Sequence, residues 1–138
     1  MQILVAFDGS EPSQKALVHA VETFPDEEII LFRVHEAADG ATEAGVELAR
    51  EKLKELRDET RTELSEEVEA LIDPTKIDLR METAVGMPAP TIVRFAEEND
   101  VDHVIVGIHG RSGVARVVLG SVAESVVREA PVPVTVVR

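Results

Sequence analysis

The 138-residue sequence predicts a single α/β domain, a three-layer sandwich in which helices cover both faces of a parallel β-sheet. The length is typical of one domain, and no linker, repeat or low-complexity segment divides residues 1–138. Short apolar runs rich in β-branched residues alternate with segments of helical periodicity along the chain. The resulting order, βαβαβαβαβ, is typical of parallel sheets joined by right-handed crossovers.

Each predicted strand is a short run of β-forming residues between turn formers. The five strands are residues 2–7, 28–34, 77–85, 102–106 and 134–137. The first helix ends at Pro25, and Ser10 can cap its start, with Pro12 in its first turn. The other helices are predicted at residues 42–71, between the turns at 86–88 and 99–100, and at residues 121–130. The irregular stretch 36–40 is interpreted as a flap.

The composition excludes several classes of protein. Without cysteine, the chain can form neither disulfides nor thiolate metal sites. Its formal net charge of -13, from 27 acidic and 14 basic residues, argues against broad nucleic-acid binding, which needs basic patches. The N-terminal segment lacks a basic region and a cleavage site, and no apolar run approaches the length of a membrane span. We therefore expect a cytoplasmic protein that binds neither nucleic acid nor membrane.

Glycine-rich turns follow the predicted strands where open α/β sheets bind ligands, beyond the carboxyl ends at a reversal of strand order. Asp8 follows the first strand, residues 107–113 follow the fourth, and residues 120–121 open the last helix. Glycine permits close approach of a ligand, and amides in such turns and at a helix N-terminus bind anions. Arg111 and Arg116 add positive charge. These turns predict a phosphate site, although taken alone they fit tight turns and a helix cap equally well.

Other chemistries find little support. Neither G-x-x-x-x-G-K-[ST] nor a G-x-G-x-x-G turn after the first strand is present, so a kinase or NAD enzyme of the usual kinds is a poor fit. A receiver domain, in which an aspartate accepts a phosphoryl group, is also rejected. Such domains carry the accepting aspartate after the third strand and a lysine late in the chain, whereas here the third strand ends in Val85-Gly86 and no lysine follows Lys76. The four histidines lack metal-ligand spacing, and we find no nucleophile–base pair. We therefore assign no catalytic residue and no protein metal site.

Four segments and one spacing carry a family resemblance. The segments are residues 3–10 (ILVAFDGS), 86–88 (GMP), 101–113 (VDHVIVGIHGRSG) and 119–134 (LGSVAESVVREAPVPV). Glycine, two residues, glycine, nine residues, glycine and serine occur without a gap at Gly107, Gly110 and Gly120-Ser121. In these motifs the chain resembles the ATP-binding branch of the universal stress protein family over its whole length. The acidic middle, residues 36–74, carries little of the resemblance.

The resemblance implies the strand order 3-2-1-4-5, with a nucleotide between strands one and four. It implies ATP, or else AMP or ADP, with Mg²⁺ or Mn²⁺ carried on the phosphates. The site residues that it implies are Ala6 and Asp8 beside the nucleoside, Val34 at the adenine, Val106 in the pocket wall, and Gly107, His109, Gly110, Arg111, Ser112, Gly113, Gly120, Ser121 and Val122 at the ribose and phosphates.

The implied function is a nucleotide-dependent regulatory or protective role in the stress response, with at most weak ATP hydrolysis. Two alternatives stay open: a slow ATPase or phosphotransferase that uses the same pocket, and a structural or interaction dimer with a vacant cleft. The last strand, residues 134–137, would expose an apolar edge after Pro133. We expect a homodimer in which two such edges pair antiparallel, as the resemblance also implies.

The acidic composition further predicts a salt-adapted, halophile-like protein. Ten of its 14 basic residues are arginine and only four are lysine. Because high salt screens the self-repulsion of an acidic surface, we expect the melting temperature to rise between dilute and molar KCl. Differential scanning calorimetry across a KCl series measures this. An acidic protein without salt adaptation would show no such rise.

Overall fold

The computed structural model describes residues 1–36, 66, 68–108 and 120–138. Within them, five strands form one sheet in the order β3-β2-β1-β4-β5, and every neighbouring pair is parallel. The strands are β1 (Gln2–Ala6), β2 (Glu28–His35), β3 (Leu79–Val85), β4 (His103–Gly107) and β5 (Val134–Val137). The predicted parallel sheet and its strand order are confirmed.

Three helices with complete boundaries accompany the strands in the described residues. They are α1 (Glu11–Thr23), α2 (Pro88–Glu98) and α3 (Ser121–Glu129), with a short 3₁₀ turn at Pro74–Lys76. Residues 66 and 68–71 are helical and fall at the end of the predicted helix 42–71. The rest of that helix lies outside the described residues, as do residues 37–40 of the predicted flap. No helix in the described ranges is long and apolar enough to cross a bilayer.

Several predicted boundaries are displaced by one or two residues. β2 continues to His35, whose carbonyl accepts a hydrogen bond from the Gly86 N–H at 3.0 Å. β3 begins at Leu79 rather than at residue 77, since the side chain of Asp73 accepts the Thr75 N–H at 3.0 Å and starts a 3₁₀ turn first. β1 ends one residue earlier than predicted, and β4 lies one residue later.

Helix α1 begins where the sequence predicts. Ser10 is its N-cap, with φ -68° and ψ 159°, and the Ser10 Oγ accepts the Ser13 N–H at 3.4 Å. Pro12 occupies a first-turn position where its missing N–H has no helical partner to lose. Gly9, just before the cap, has φ 84°, a conformation that favours glycine. The helix buries one apolar stripe against the sheet, formed by Ala16, Leu17 and Ala20.

The sheet separates two hydrophobic cores. Odd-numbered residues of β1, β2 and the middle of β4 pack with α1, whereas even-numbered ones pack with α2 and α3. The α1 core includes Ile3, Val5, Phe7, Ala16, Leu17, Ala20, Ile29, Leu31, Val68 and Ile105, and the opposite core includes Leu4, Ile30, Phe32, Ala89, Ile92, Ala96, Val101, Val104, Val106, Ile108, Ala123 and Val126. Burial on both faces explains why the central strands read as unbroken apolar runs.

The first turn of α1 packs directly onto the backbone at the end of β4. A Cβ atom on Gly107 would lie 2.0 Å from the carbonyl oxygen of Pro12 and 2.3 Å from its carbonyl carbon. Both distances are far inside van der Waals contact, so the packing itself requires glycine at this position. The contact joins the segment after β1 to the end of β4.

We expect Gly107→Ala to lower the free energy of unfolding by about 1–3 kcal/mol, because the added methyl group must push α1 away from β4. Gly120→Ala is the matched control, since its Cβ would have no described heavy atom within 4 Å and its φ of -65° suits any residue. Its unfolding free energy should change by less than about 0.5 kcal/mol. Urea unfolding followed by circular dichroism measures both, and equal losses in the two variants would contradict the contact.

Candidate functional site

A cavity of about 530 Å³ lies at the carboxyl ends of β1 and β4, where the strand order reverses. The segments that follow β1 and β4 form part of its wall, and the end of β2 extends that wall. The beginnings of α2 and α3 line the cavity as well. This is the crevice in which open α/β sheets bind ligands.

Every predicted site residue that falls in the described ranges lines the cavity. These are Ala6, Asp8, Val34, Val106, Gly107, Gly120, Ser121 and Val122. Residues 107 and 120 stand thirteen positions apart in the sequence, yet both line this cavity. The remaining predicted residues, His109, Gly110, Arg111, Ser112 and Gly113, lie outside the described residues, as does Arg116.

Asp8 supplies a carboxylate to the cavity wall directly after β1. Its Oδ1 accepts the Ser10 N–H at 2.9 Å, so the residue also closes the turn into α1. Partial desolvation raises the pKa of Asp8, but hydrogen bonds from the hydroxyl and N–H of Ser10 and from the hydroxyl of Ser13 outweigh it and hold the pKa below its ordinary value. The carboxylate is therefore an ionised acceptor, suited to a ligand that presents hydroxyl or amino donors.

The N-terminus of α3 supplies free backbone donors. Gly120 is the N-cap and offers no side-chain cap, and the Glu124 N–H donates to its carbonyl at 2.9 Å as the first helical bond. The N–H groups of Ser121, Val122 and Ala123 precede that bond, so they have no partner within the helix. All three residues line the cavity. Free amides at the positive end of a helix dipole favour an anionic group here.

The N-terminus of α2 is chemically different. Proline occupies its first and third positions, Pro88 and Pro90, and proline has no N–H. This helix end therefore has only one free amide, that of Ala89, among its first three residues. Pro88 and Ile92 instead form an apolar wall that faces the same cavity as Phe32 and Val34. The two helix ends thus bring different chemistry to the cavity, since one offers free amides and the other apolar side chains.

The two described glycines of the predicted motif, Gly107 and Gly120, are glycine for different structural reasons. Gly107 is needed for the contact with Pro12, as described above. A Cβ on Gly120 would meet no described heavy atom within 4 Å, and the residue has an ordinary extended conformation. Neither glycine has a positive φ, so the expected backbone freedom is used at neither position. Gly120 leaves room on the cavity side that a larger residue would fill.

The histidines in the described residues do not line the cavity. His35 alternates away from Val34 at the end of β2, and burial, followed by the Arg33 charge, lowers its pKa. His103 packs its ring 5.5 Å from that of Phe24 and places Nε2 2.6 Å from the Thr135 Oγ1. Within the described ranges, no three His, Asp or Glu side chains gather as metal ligands. The ionisable residues in the described lining are Asp8 and Glu36.

Some lining residues escaped the sequence-based prediction, among them Ser13, Phe32 and the α2 residues Pro88 and Ile92. Strand alternation could have indicated Phe32, because it lies two residues before Val34 on the same face. Ser13 reads in sequence as an ordinary polar position in the first turn of a helix. Only the tertiary structure brings it into the wall of the cavity.

Comparison with known proteins places the chain in one family. The model of the universal stress protein family matches residues 1–138. Universal stress protein MJ0531 of Methanocaldococcus jannaschii is 31% identical over 139 residues, covering 99% of this chain and 81% of that protein. Universal stress protein YxiE of Bacillus subtilis is 31% identical over 145 residues, covering 99% of this chain and 98% of that protein.

Solved structures agree with the sequence relatives. The structure of MJ0577 from M. jannaschii is 32% identical, with a TM-score of 0.70 and coverage of 99% of this chain and 94% of that one. The universal stress protein UspA from Lactobacillus plantarum has a TM-score of 0.73 at 23% identity, covering 100% and 97%, and it shares the fold. With a family model matched from end to end and relatives above 30% identity, the chain belongs to the universal stress protein family.

Proposed function

We propose that this protein binds an adenine nucleotide in the cavity and acts as a nucleotide-dependent regulatory or protective factor in the stress response. One observation carries the proposal: an uncapped helix N-terminus, an apolar wall and the Asp8 carboxylate all line one cavity. An anion, a flat apolar group and a hydroxyl-bearing linker are the three parts of a nucleotide. The cavity volume of about 530 Å³ lies within the usual range for ligand sites.

The chemistry of the walls orients the nucleotide. The base lies between the end of β2 at Val34 and the apolar wall at Pro88 and Ile92. The sugar lies beside Asp8, which accepts hydrogen bonds from its hydroxyl groups. The phosphates meet the free amides at the start of α3. We further propose that residues 109–113 complete the phosphate side, as their motif suggests.

A divalent cation, Mg²⁺ or Mn²⁺, would enter on the phosphates of ATP. Such hard cations are held readily by phosphate oxygens and water. The described residues contain no cluster of carboxylates and histidines that would hold the ion without the nucleotide. The hydroxyl of Ser121, the first residue of α3 and part of the cavity lining, would contact the hydrated ion. The cation would supply charge neutralisation for the phosphates.

Proteins with the same fold support the choice of ligand. A universal stress protein in complex with cAMP is 21% identical, with a TM-score of 0.63. The Arabidopsis thaliana protein At3g01520 with AMP bound is 19% identical, with a TM-score of 0.63, and an Archaeoglobus fulgidus universal stress protein in complex with dAMP is 23% identical, with a TM-score of 0.61. At these identities they share the fold, which accommodates adenine nucleotides in those proteins. The proposal for this chain rests on its own cavity.

Gly120→Val tests the proposed site. The added side chain fills the space beside the α3 amides, so we expect the affinity for ATP, ADP and AMP to fall by more than tenfold, or about 1.4 kcal/mol. Isothermal calorimetry on protein freed of copurified nucleotide measures this. Gly120→Ala, with less added volume, should lose less affinity than Gly120→Val.

Thermal melting of the apo variants is the control for folding, because Gly120 has no described neighbour for its Cβ to strike. Mass spectrometry of natively purified wild-type protein identifies any bound nucleotide. Wild-type protein that binds no adenine nucleotide below millimolar concentration would refute the proposed function.

We also propose that two chains pair through β5. The other sheet edge, β3, carries Arg80 and Glu82, with Arg80 in ion pairs to Glu28 and Glu82 at 3.6 and 3.5 Å. Charges of this kind protect an edge from pairing. β5 has the sequence Val-Thr-Val-Val, without a charge, and its four residues are half-buried. An uncharged edge of this composition favours a second copy of the chain.

The hydrogen-bond ladder gives a specific test of this pairing. The Val104 and Ile108 N–H groups donate to the carbonyls of Pro133 and Val137. The odd-numbered residues along β5 therefore form the hydrogen bonds to β4. The backbone groups of Val134 and Val136 therefore face away from β4. We expect wild-type protein to sediment as a dimer at micromolar concentration and Val136→Pro, which removes one outward N–H, to sediment as a monomer. A wild-type monomer under these conditions would contradict the pairing.

A further inference from the structure

Ser13 is the buried polar side chain of the described residues, and it lies in the cavity wall. It is 4% exposed. Its Oγ donates to the Ser10 carbonyl at 2.8 Å, and its N–H donates to the Ser10 Oγ at 3.4 Å. Ser10 in turn donates its own N–H to Asp8 Oδ1 at 2.9 Å. Ser13, Ser10 and Asp8 thus form one chain of hydrogen bonds, and all three residues line the cavity.

The end of this chain that faces the ligand is the Asp8 carboxylate. The Ser10 Oγ accepts from Ser13, so its own hydrogen is free to donate to Asp8. The Ser13 hydroxyl donates its one hydrogen to the Ser10 carbonyl, so it acts on the position of Ser10. The Ser10 N–H stabilises the ionised carboxylate and restricts its rotation, and the Ser13 hydroxyl holds Ser10 in place for that contact. The first turn of α1 is therefore coupled to an acceptor in the cavity.

We propose that Ser13 is a positioning residue of the cavity, which acts through Ser10 to fix the orientation of the Asp8 carboxylate toward the hydroxyl groups of a bound sugar. This inference rests on the proposed nucleotide function, which it deepens by adding a residue that reaches the ligand only through another. A hydroxyl that merely stabilised the first turn of α1 would have no effect on Asp8.

The surroundings of Asp8 contain few other charges. In the described lining, the other ionisable residue is Glu36, which follows β2. On α1, Glu11 and Lys15 pair with each other at 3.5 Å and are exposed. Neither of these two lines the main cavity. An aspartate label therefore reports on Asp8 alone among the ionisable residues of the described lining.

Ser13→Ala and Ser13→Thr are the test pair, because alanine removes the hydroxyl and threonine keeps it. The first measurement needs no ligand: carboxyl carbon NMR of aspartate-labelled protein, with Asp8→Asn used for assignment, follows the Asp8 titration. We expect its midpoint to move to higher pH in Ser13→Ala, since Ser10 is then held less firmly and its N–H stabilises the ionised carboxylate less well. Ser13→Thr should restore the wild-type midpoint. Ser125→Ala, at a half-buried serine of α3 outside the described lining, should leave it unchanged.

The second measurement is calorimetric AMP and ATP affinity across pH. We expect Ser13→Ala to bind about three- to tenfold more weakly at neutral pH, the worth of one hydrogen bond. Its affinity should also begin to fall at a higher pH on acidification, because Asp8 is protonated earlier. Ser13→Thr should recover most of the affinity.

The outcomes separate the two proposals. A Ser13→Ala protein with lower thermal stability but an unchanged Asp8 titration would overturn the positioning role and leave Ser13 as a helix-turn residue. If Ser13→Ala shifts the Asp8 titration but wild-type protein binds no nucleotide, the proposed function is refuted and the link from Ser13 to Asp8 is supported. A shifted titration together with weakened binding supports both.

Discussion

The parallel pairing of β1 with β4 is the constraint on which the rest of the structure depends. Ile3, Leu4 and Val5 stand opposite His103, Val104 and Ile105, and the strand order reverses at this pair. The chain builds outward to β2 and β3 on one side and to β5 on the other. Two neighbouring strands whose connections leave in opposite directions open a crevice at their carboxyl ends. The cavity is thus a product of topology, and the side chains around it determine what it can hold.

Much of the fold could be predicted from periodicity, because strands buried on both faces read as apolar runs and amphipathic helices read as stripes. The cap at Ser10 and the start of α3 at Ser121 were also predicted from local chemistry. Strand order could not be predicted from periodicity, because it depends on which elements meet in space. The family resemblance was needed to predict it. The start of β3 was misplaced because a 3₁₀ turn at Pro74–Lys76 competes with extended backbone.

The site shows the same division between local and tertiary information. The resemblance indicated Asp8, Gly107 and Gly120, and all three line the cavity. The sequence alone does not show why each of these residues is needed. The need for glycine at residue 107, for example, comes from contact with Pro12, which is far away in sequence. The role inferred for Ser13 depends on its burial, and the sequence alone does not reveal whether a serine in the first turn of a helix is buried.

The unequal edges of the sheet would limit how far the proposed assembly of this chain can grow. The proposed pairing of two β5 strands would consume the uncharged edge of both molecules, and the doubled sheet would then end on each side in a β3 strand with its ion pairs. A two-fold contact of this kind is self-limiting, because no uncharged β5 edge remains to recruit a third chain. The charged pairs on β3 would thus terminate the assembly, keeping a protein with an aggregation-prone strand from extending into a fibre.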